Sequence, residues 1–182
     1  MMQLRAACHA LHGGGVIAYP TEAVWGLGCA PLDQAACERL LQLKQRDWRK
    51  GLILIAADFA QLRPYVEDLS AMQLRPALET WPGPATWLLP TAAHTPVWVR
   101  GTHDSVAVRV TAHPVAAALC RAYGGAIVST SANRAGQTPA LSVAQLRRRF
   151  GTQIDAVVAG ALGGLDKPTT IRDLLSGTLL RS

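Results

Sequence analysis

The stretch Leu52-Ile53-Leu54-Ile55-Ala56 is the clearest indication of the fold. Five apolar residues in succession predict a strand that is buried on both faces, since a strand with one wet face alternates apolar and polar residues. A strand of this kind needs helices on both sides of its sheet. The run therefore predicts an α/β protein.

Helices and strands alternate along the rest of the chain. Periodicity and capping residues predict helices at 4–11, 34–43 (capped by Asp33), 59–66, 71–79, 114–123 and 142–150. Strands are predicted at 16–19, 86–89, 105–110, 126–130, 154–158 and 169–173. The sequence has no internal repeat, no low-complexity tract and no evident linker. We therefore expect residues 1–182 to form a single domain around a mixed sheet.

The composition predicts a cytoplasmic protein. Hydrophobic residues make up 49% of the chain, and no apolar run reaches the ~18 residues of a membrane span. The first residues lack the apolar core of a signal peptide. The cysteines, Cys8, Cys29, Cys37 and Cys120, have no C-x-x-C spacing, so we expect reduced thiols in the core and no zinc.

The charge balance favours acidic partners. The formal net charge is +6, and arginine outnumbers lysine by 15 to 3. Nucleotides, RNA and DNA all fit this balance, as does a solvated basic surface without a partner. The densest basic run is Arg147-Arg148-Arg149, on a predicted helix. Three consecutive helical residues point in different directions, so by themselves they do not form a surface that recognises the groove of a nucleic acid.

A cluster of cations precedes the buried strand. Lys44, Arg46, Arg49 and Lys50 lie within seven residues, where a Leu-rich helix ends. The ordinary explanation is an exposed helix C-terminus, where cations interact favourably with the helix dipole. The alternative is contact with a ligand, because loops that enter buried strands often approach ligands.

A second polar segment, Ser129-Thr130-Ser131-Ala132-Asn133, places three hydroxyls and an amide after an apolar run. Small neutral donors and mobile cations without a nearby acid cluster suit a polyanionic phosphate ligand. The same residues are also typical of a capping or Asx-turn segment.

Arg109 interrupts the predicted strand Ser105–Val110 and should share one face of it with Ser105 and Ala107. An unpaired buried charge costs several kcal/mol, so this arginine needs an anionic partner. That partner is either a protein Asp or Glu, or the carboxylate or phosphate of a ligand.

The segment from Pro20 to Gly28 combines a proline, Thr21, Glu22 and two glycines. One interpretation makes Thr21 the N-cap of a helix. The other places its hydroxyl at the end of a strand, facing a small polar ligand that the glycines allow to approach closely.

Several site classes are absent from the sequence. There is no P-loop, no complete dinucleotide fingerprint and no G-x-S-x-G elbow for a serine nucleophile. The five histidines show no metal-binding spacing.

In this order, the segments resemble the YrdC family, most closely its short single-domain bacterial members. The K-x-R…S-x-N pattern is met by Lys44-Gln45-Arg46 and Ser131-Ala132-Asn133. Four further motifs match at Tyr19 to Gly28, Gly51 to Ile55, Trp81 to Thr86 and Ala107 to Val110. The resemblance runs in unbroken order from about residue 16 to residue 181.

The resemblance implies a twisted mixed β-sheet flanked by helices, with a basic concave cavity. It also implies a nucleotidyltransferase that combines L-threonine, bicarbonate and ATP into threonylcarbamoyl-AMP and pyrophosphate. The product would serve the N6-threonylcarbamoyladenosine modification of tRNA, through downstream threonylcarbamoyl-transfer proteins. Some members bind double-stranded RNA or tRNA.

By the same resemblance, Lys44 and Arg46 are the catalytic cations, and Thr21 and Arg109 hold threonine. The ATP region is implied to comprise Lys44, Arg46, Lys50, Ser105, Ser129, Ser131 and Asn133. We expect no protein metal site, since few acids lie near the motifs; Mg²⁺ would be carried mainly by ATP phosphates. Residues 138–139 and 168–172 resemble other family ligand positions.

This sequence differs from the longer, two-domain members of the family in two respects. They place Asn at the position of Lys50 and a threonine-contacting His at that of Ile55, so the threonine pocket here must be completed differently. They also carry a C-terminal domain over the site, which we do not expect in this protein.

Two other functions compete with the synthase. A non-catalytic double-stranded RNA or tRNA maturation factor is supported by the +6 charge and by Arg147-Arg148-Arg149. Carbamoyl transfer from carbamoyl phosphate is known for larger proteins that contain a YrdC-like module and further domains.

Overall fold

The computed structural model describes residues 2–181, which form a mixed sheet with helices on both faces. The helices are α1 Met2–His12, α2 Gln34–Lys44, α3 Ala71–Leu78, α4 Val97–Arg100, α5 Pro114–Tyr123 and α6 Val143–Phe150. The strands are β1 Ile17–Pro20, β2 Trp25–Gly28, β3 Ile53–Ala56, β4 Ala85–Pro90, β5 Ser105–Val110, β6 Ile127–Ser131, β7 Ala156–Val157, β8 Thr170–Asp173 and β9 Leu179–Arg181. The prediction of a mixed α/β sheet is confirmed.

The strand order is β7-β1-β2-β6-β3-β5-β4-β8-β9. The central strand β3 runs parallel to β5 and antiparallel to β6. This position explains its continuous apolar sequence, because helices cover the sheet there on both faces. The predicted cap Asp33 accepts a hydrogen bond from Ala36 N. Ser142, predicted as the first residue of its helix, instead caps α6 and accepts from Gln145 N.

The local predictions fail at four elements. The segment that carries two glycines is strand β2, paired with β1, and not the start of a helix. A Cβ on Gly28 would lie 2.4 Å from the carbonyl oxygen of Val128 and 3.0 Å from the Tyr19 ring, so only glycine fits there.

Strand β9 and the short helix α4 were not predicted. The stretch 59–66 contains two 3₁₀ turns, Phe59–Gln61 and Arg63–Tyr65, in place of one helix.

Alternation along the strands divides the core into two clusters. One face buries residues such as Leu54 and Val108 together with α2, α3, α4 and α6. The other face buries Ile17, Tyr19, Ile55 and Ile127 together with α1 and α5. These two helices cover only part of their face. Neighbouring residues on the same face, including Ile53 and Ala107, line a cavity instead.

Candidate active site

A cavity of about 370 Å³ opens on the face of the sheet that α1 and α5 leave uncovered. This volume lies within the roughly 300–1,000 Å³ of small-molecule sites. Seven of the nine predicted site residues line it: Thr21, Arg46, Lys50, Ser105, Arg109, Ser129 and Ser131. They come from four separate segments, which the sheet brings together.

The lining is strongly cationic. Two further arginines that sequence reasoning did not assign, Arg100 and Arg181, join the predicted cations, and His103 also lines the cavity. Within residues 2–181, no aspartate or glutamate lines the cavity. Positive groups in a partly enclosed space focus the potential and favour a polyanion.

Lys44 and Asn133 do not line the cavity; they contact each other behind it. The Nζ of Lys44 donates to the carbonyl oxygens of Ser131 and Asn133, and more weakly to Asn133 Oδ1 at 3.4 Å. The Ser131 hydroxyl in turn donates to Asn133 Oδ1 at 2.5 Å. The two halves of the K-x-R…S-x-N pattern are therefore one hydrogen-bonded unit that holds the hydroxyl turn in place.

The expectation that Lys44 is an exposed helix-end cation is wrong. Its side chain is buried, with 4% exposure, because the turn after β6 covers the end of α2. Burial, with a smaller contribution from the charge of Arg46, lowers the pKa of Lys44 to about 8.

Arg46 reaches the cavity from the turn that follows α2. Gln45 ends the helix in the left-handed conformation, with φ of 52°, and so redirects the chain. The Arg46 Nη2 atom donates to the carbonyl oxygen of Gly51 at 3.0 Å. Its Nε is buried and finds no acceptor among residues 2–181. Burial lowers the pKa of the guanidinium, which nevertheless remains charged.

Arg109 has the protein partner that its strand position requires, and it also faces the cavity. Nη2 lies 3.4 Å from Glu22 Oε2, and Nη1 donates to Thr169 Oγ1 at 2.8 Å and to Thr86 Oγ1 at 3.3 Å. Its Nε is buried and has no acceptor among residues 2–181. The two alternatives for its partner are thus compatible: the guanidinium is paired within the protein, and the residue also lines the cavity.

Thr21 does not cap a helix. Its hydroxyl donates to the carbonyl oxygen of Val24 at 2.7 Å and closes the tight turn between β1 and β2. The side chain is buried at the cavity wall. The interpretation of Thr21 as a hydroxyl at the end of a strand, next to a ligand site, fits this geometry.

The C-terminal strands complete the cavity. Arg181 on β9 lines it and donates to the carbonyl oxygen of Thr169 at 2.8 Å. Pro139, Pro168, Thr169 and Ile171 also line it, whereas Arg172 is exposed on the other side of β8. Only the family resemblance pointed to this region, because β9 has no recognisable strand pattern. Ile55 lies in the core cluster under α5 and does not line the cavity.

Arg149 lies apart from its two neighbours in the basic run. It donates to the carbonyl oxygens of Ala132 and Thr138 and so anchors the loop after β6. Arg147 and Arg148 are exposed.

Two further features bear on the excluded site classes. No group of three His, Cys, Asp or Glu residues within residues 2–181 is placed to hold a metal ion. The four cysteines are free; Cys29 and Cys37 are buried with their sulfur atoms 3.7 Å apart.

No helix in the described part of the chain is long and apolar enough to cross a membrane.

The fold and the lining define an α/β protein with a cationic cavity for a small anionic ligand. The family model Sua5_yciO_yrdC, described as "Telomere recombination", matches residues 9–182. The chain belongs to the Sua5/YciO/YrdC family, as its motifs indicated.

Curated relatives of nearly the same length carry one name. A threonylcarbamoyl-AMP synthase of Halorhodospira halophila is 58% identical over 179 residues, covering 98% of this chain and 94% of the relative. A threonylcarbamoyl-AMP synthase of Nitrosococcus oceani is 56% identical over 180 residues, covering 98% and 97%.

Solved structures show the same fold. P. abyssi Sua5 complexed with L-threonine is 31% identical with a TM-score of 0.87, over 93% of this chain and 50% of that one. This chain therefore spans about half the length of that Sua5 protein. E. coli YciO is 27% identical with a TM-score of 0.86, over 98% of this chain and 88% of that one.

Proposed function

We propose that this protein is an L-threonylcarbamoyladenylate synthase, which converts L-threonine, bicarbonate and ATP into threonylcarbamoyl-AMP and pyrophosphate. The observation that carries the proposal is the cavity lining, which gathers Arg46, Lys50 and Arg109 with serine hydroxyls and, among residues 2–181, no carboxylate. The names of the similar full-length relatives and the threonine complex of P. abyssi Sua5 support the same function.

The chemistry needs no protein nucleophile. The amine of threonine and bicarbonate give a carbamate, with loss of water. A carbamate oxygen then attacks the α-phosphorus of ATP, and the bond to the β-phosphate oxygen breaks to release pyrophosphate. The protein's contribution is to hold the reactants together and to neutralise charge on the phosphates.

The residues at the cavity have four different roles in this reaction. We assign the threonine end of the cavity to Arg109 and Thr21, since Arg109 lines the cavity and a guanidinium can pair with a carboxylate. We assign the phosphates to Arg46 and Lys50, with Arg100, His103 and Arg181 on the same lining. The hydroxyls of Ser105, Ser129 and Ser131 are donors for nucleotide oxygens. Lys44 and Asn133 act from behind the lining, by fixing the Ser131 turn.

The donor set fits Mg²⁺ only as an ion that enters with the nucleotide. The cavity offers hydroxyl oxygens but no carboxylate among residues 2–181, so phosphate oxygens and water would be the main ligands. When bound, the ion would neutralise phosphate charge and make pyrophosphate a better leaving group.

We further propose that residues 1–182 form one domain, because all nine strands of the described residues join in one sheet. We propose a cytoplasmic location and tRNA as a partner, with transfer of the adenylate to downstream threonylcarbamoyl-transfer proteins. The net charge of +6 and the exposed Arg147 and Arg148 support contact with RNA.

The test is incubation of the purified protein with ATP, Mg²⁺, bicarbonate and L-threonine. We expect pyrophosphate and threonylcarbamoyl-AMP in equal amounts, by enzymatic assay and mass spectrometry, and no release when threonine or bicarbonate is omitted. A parallel reaction with carbamoyl phosphate in place of bicarbonate tests the carbamoyl-transfer alternative. Formation of ADP, or release independent of threonine, would contradict the proposal; tRNA binding without release would favour the maturation-factor alternative.

A further inference from the structure

Glu22 is a buried acid that the cavity lining does not include. Its exposure is 6%, and its carboxylate lies behind Arg109. Oε1 accepts a hydrogen bond from the Thr111 hydroxyl at 2.6 Å, and Oε2 lies 3.4 Å from Arg109 Nη2. Of the ion pairs among residues 2–181, this is the one whose two side chains are both buried.

The guanidinium of Arg109 is held on three sides. Thr86 and Thr169 accept hydrogen bonds from Nη1, while Glu22 pairs with Nη2. An arginine has five N–H donors, and Nε–H is the one for which residues 2–181 offer no acceptor. The contacts define the plane of the guanidinium at the wall of the cavity, which Arg109 lines.

The backbone of Glu22 is tied to the segment that supplies another Arg109 partner. Leu165 N donates to the carbonyl oxygen of Glu22 at 2.9 Å, and Gly163 N donates to that of Thr21 at 3.0 Å. A Cβ on Gly163 would lie 2.8 Å from the Glu22 Cα, so glycine permits this close approach. The same segment continues to Thr169, so two acceptors of Arg109 are fixed relative to each other.

We propose that Glu22, held by the Thr111 hydroxyl, is the positioning residue that orients Arg109 toward the carboxylate of the amino-acid substrate. The inference rests on the proposed function and assigns a role to a residue that does not touch the substrate. A buried ion pair is a weak source of stability, since an apolar pair of similar volume often does as well. A pair at the wall of a ligand cavity instead pre-organises a donor, which lowers the entropy lost on binding.

The experiment compares Glu22→Ala, Glu22→Gln, Thr111→Val and Thr111→Ser with the wild type. We expect Glu22→Ala to raise the KM for threonine by at least about tenfold, the effect of losing roughly one charge-assisted contact. The KM for ATP should change less than about twofold, because the phosphate end of the cavity does not depend on Arg109. Glu22→Gln should raise this KM less than Glu22→Ala does, since its amide oxygen still accepts from Nη2 although the charge is lost.

The Thr111 variants provide a second test of the proposal, in which no charge is removed. Thr111→Val should raise the KM for threonine severalfold, and Thr111→Ser should restore it because the hydroxyl returns. Thr95→Val is the matched control: Thr95 is equally buried and donates to the carbonyl oxygen of Tyr65 at 2.9 Å, away from the cavity. We expect it to leave both KM values unchanged.

Threonine binding by calorimetry accompanies the kinetics, so the result does not depend on turnover alone. The inference is overturned if folded Glu22→Ala or Thr111→Val binds threonine as the wild type does. It is also overturned if the KM values for ATP and threonine rise together, as a general structural defect would cause. A wild type without threonine-dependent pyrophosphate release would instead contradict the proposed function.

Discussion

Lys44 Nζ donates a hydrogen bond to the backbone carbonyl of Asn133 at 2.8 Å, across 89 positions of sequence. The contact joins the C-terminal end of α2 to the turn after β6. The cation that the family pattern places with the phosphates therefore also builds the frame of the site. Stability and activity should both depend on it.

Replacing Lys44 should destabilise the protein more than replacing Arg46. We expect Lys44→Met to lower the free energy of unfolding by about 1–3 kcal/mol, since buried carbonyl oxygens lose their donor. Arg46→Ala should cost less, because Arg46 is half-buried and bonds to a single carbonyl. Urea unfolding monitored by circular dichroism measures the difference. Equal losses in the two variants would show that the Lys44 contacts contribute no more to folding than the single Arg46 contact does.

The low pKa of Lys44 predicts a pH-dependent stability. The pKa falls from 10.5 in the unfolded chain to about 8 in the fold, so from about pH 8 upward the unfolded state binds more protons. The energetic cost of the buried charge is complete below pH 8 and is relieved as the pH rises. The stability of the wild type relative to Lys44→Met should thus increase by about 1–2 kcal/mol between about pH 8 and 9.5.

Lys50→Met is the control for this series, because it removes an exposed ammonium from the same segment. Its stability difference from the wild type should stay level over the range. A level difference for Lys44→Met as well would contradict the burial of Lys44.

Arg109→Lys should weaken threonine binding. A lysine ammonium cannot contact Thr86, Thr169 and Glu22 and still present a planar pair of donors to a carboxylate. We expect a loss of about 1.5–3 kcal/mol in threonine binding, the range for a hydrogen bond to a charged group. ATP binding should change less. Calorimetry with each ligand measures both.

The matched control for this substitution is Arg39→Lys. Arg39 pairs with Asp155 at 2.7 Å and does not line the cavity. If the two substitutions had equal effects on threonine binding, Arg109 would not be the carboxylate-binding residue.

The basic run on α6 should separate RNA binding from catalysis. Replacing the exposed Arg147 and Arg148 by serine should weaken tRNA binding and flatten its salt dependence, because fewer counterions are released. Adenylate formation should stay near the wild-type rate. Electrophoretic mobility shifts at two salt concentrations, together with the pyrophosphate assay, measure the two activities.

Arg149→Ser should behave in the opposite way. Arg149 supports the loop after β6 through the carbonyls of Ala132 and Thr138, so its loss should reduce adenylate formation. A strong loss of synthesis in the folded Arg147/Arg148 variant would place the outer face of α6 in the active site.

Local sequence patterns predicted most of the elements. Strand β5 and helix α5 have the predicted limits. The alternation of side chains along β5, and the proline and glycine at the two ends of α5, are signals that lie within a few residues of the element they define. Strand β2 was not predicted, since Trp25–Gly28 contains two glycines and owes its conformation to pairing with β1 and β6. Strand β9 depends in the same way on β8.

The sequence by itself determined the α/β class, the family and the residue types of the site, because these depend on periodicity and on motifs within short segments. The tertiary structure decided how those residues are used. The burial of Lys44, the Glu22–Arg109 pair and the entry of Arg181 into the cavity all join segments far apart in the chain. No local pattern encodes such contacts, because they arise only when the sheet brings the ends of separate strands together.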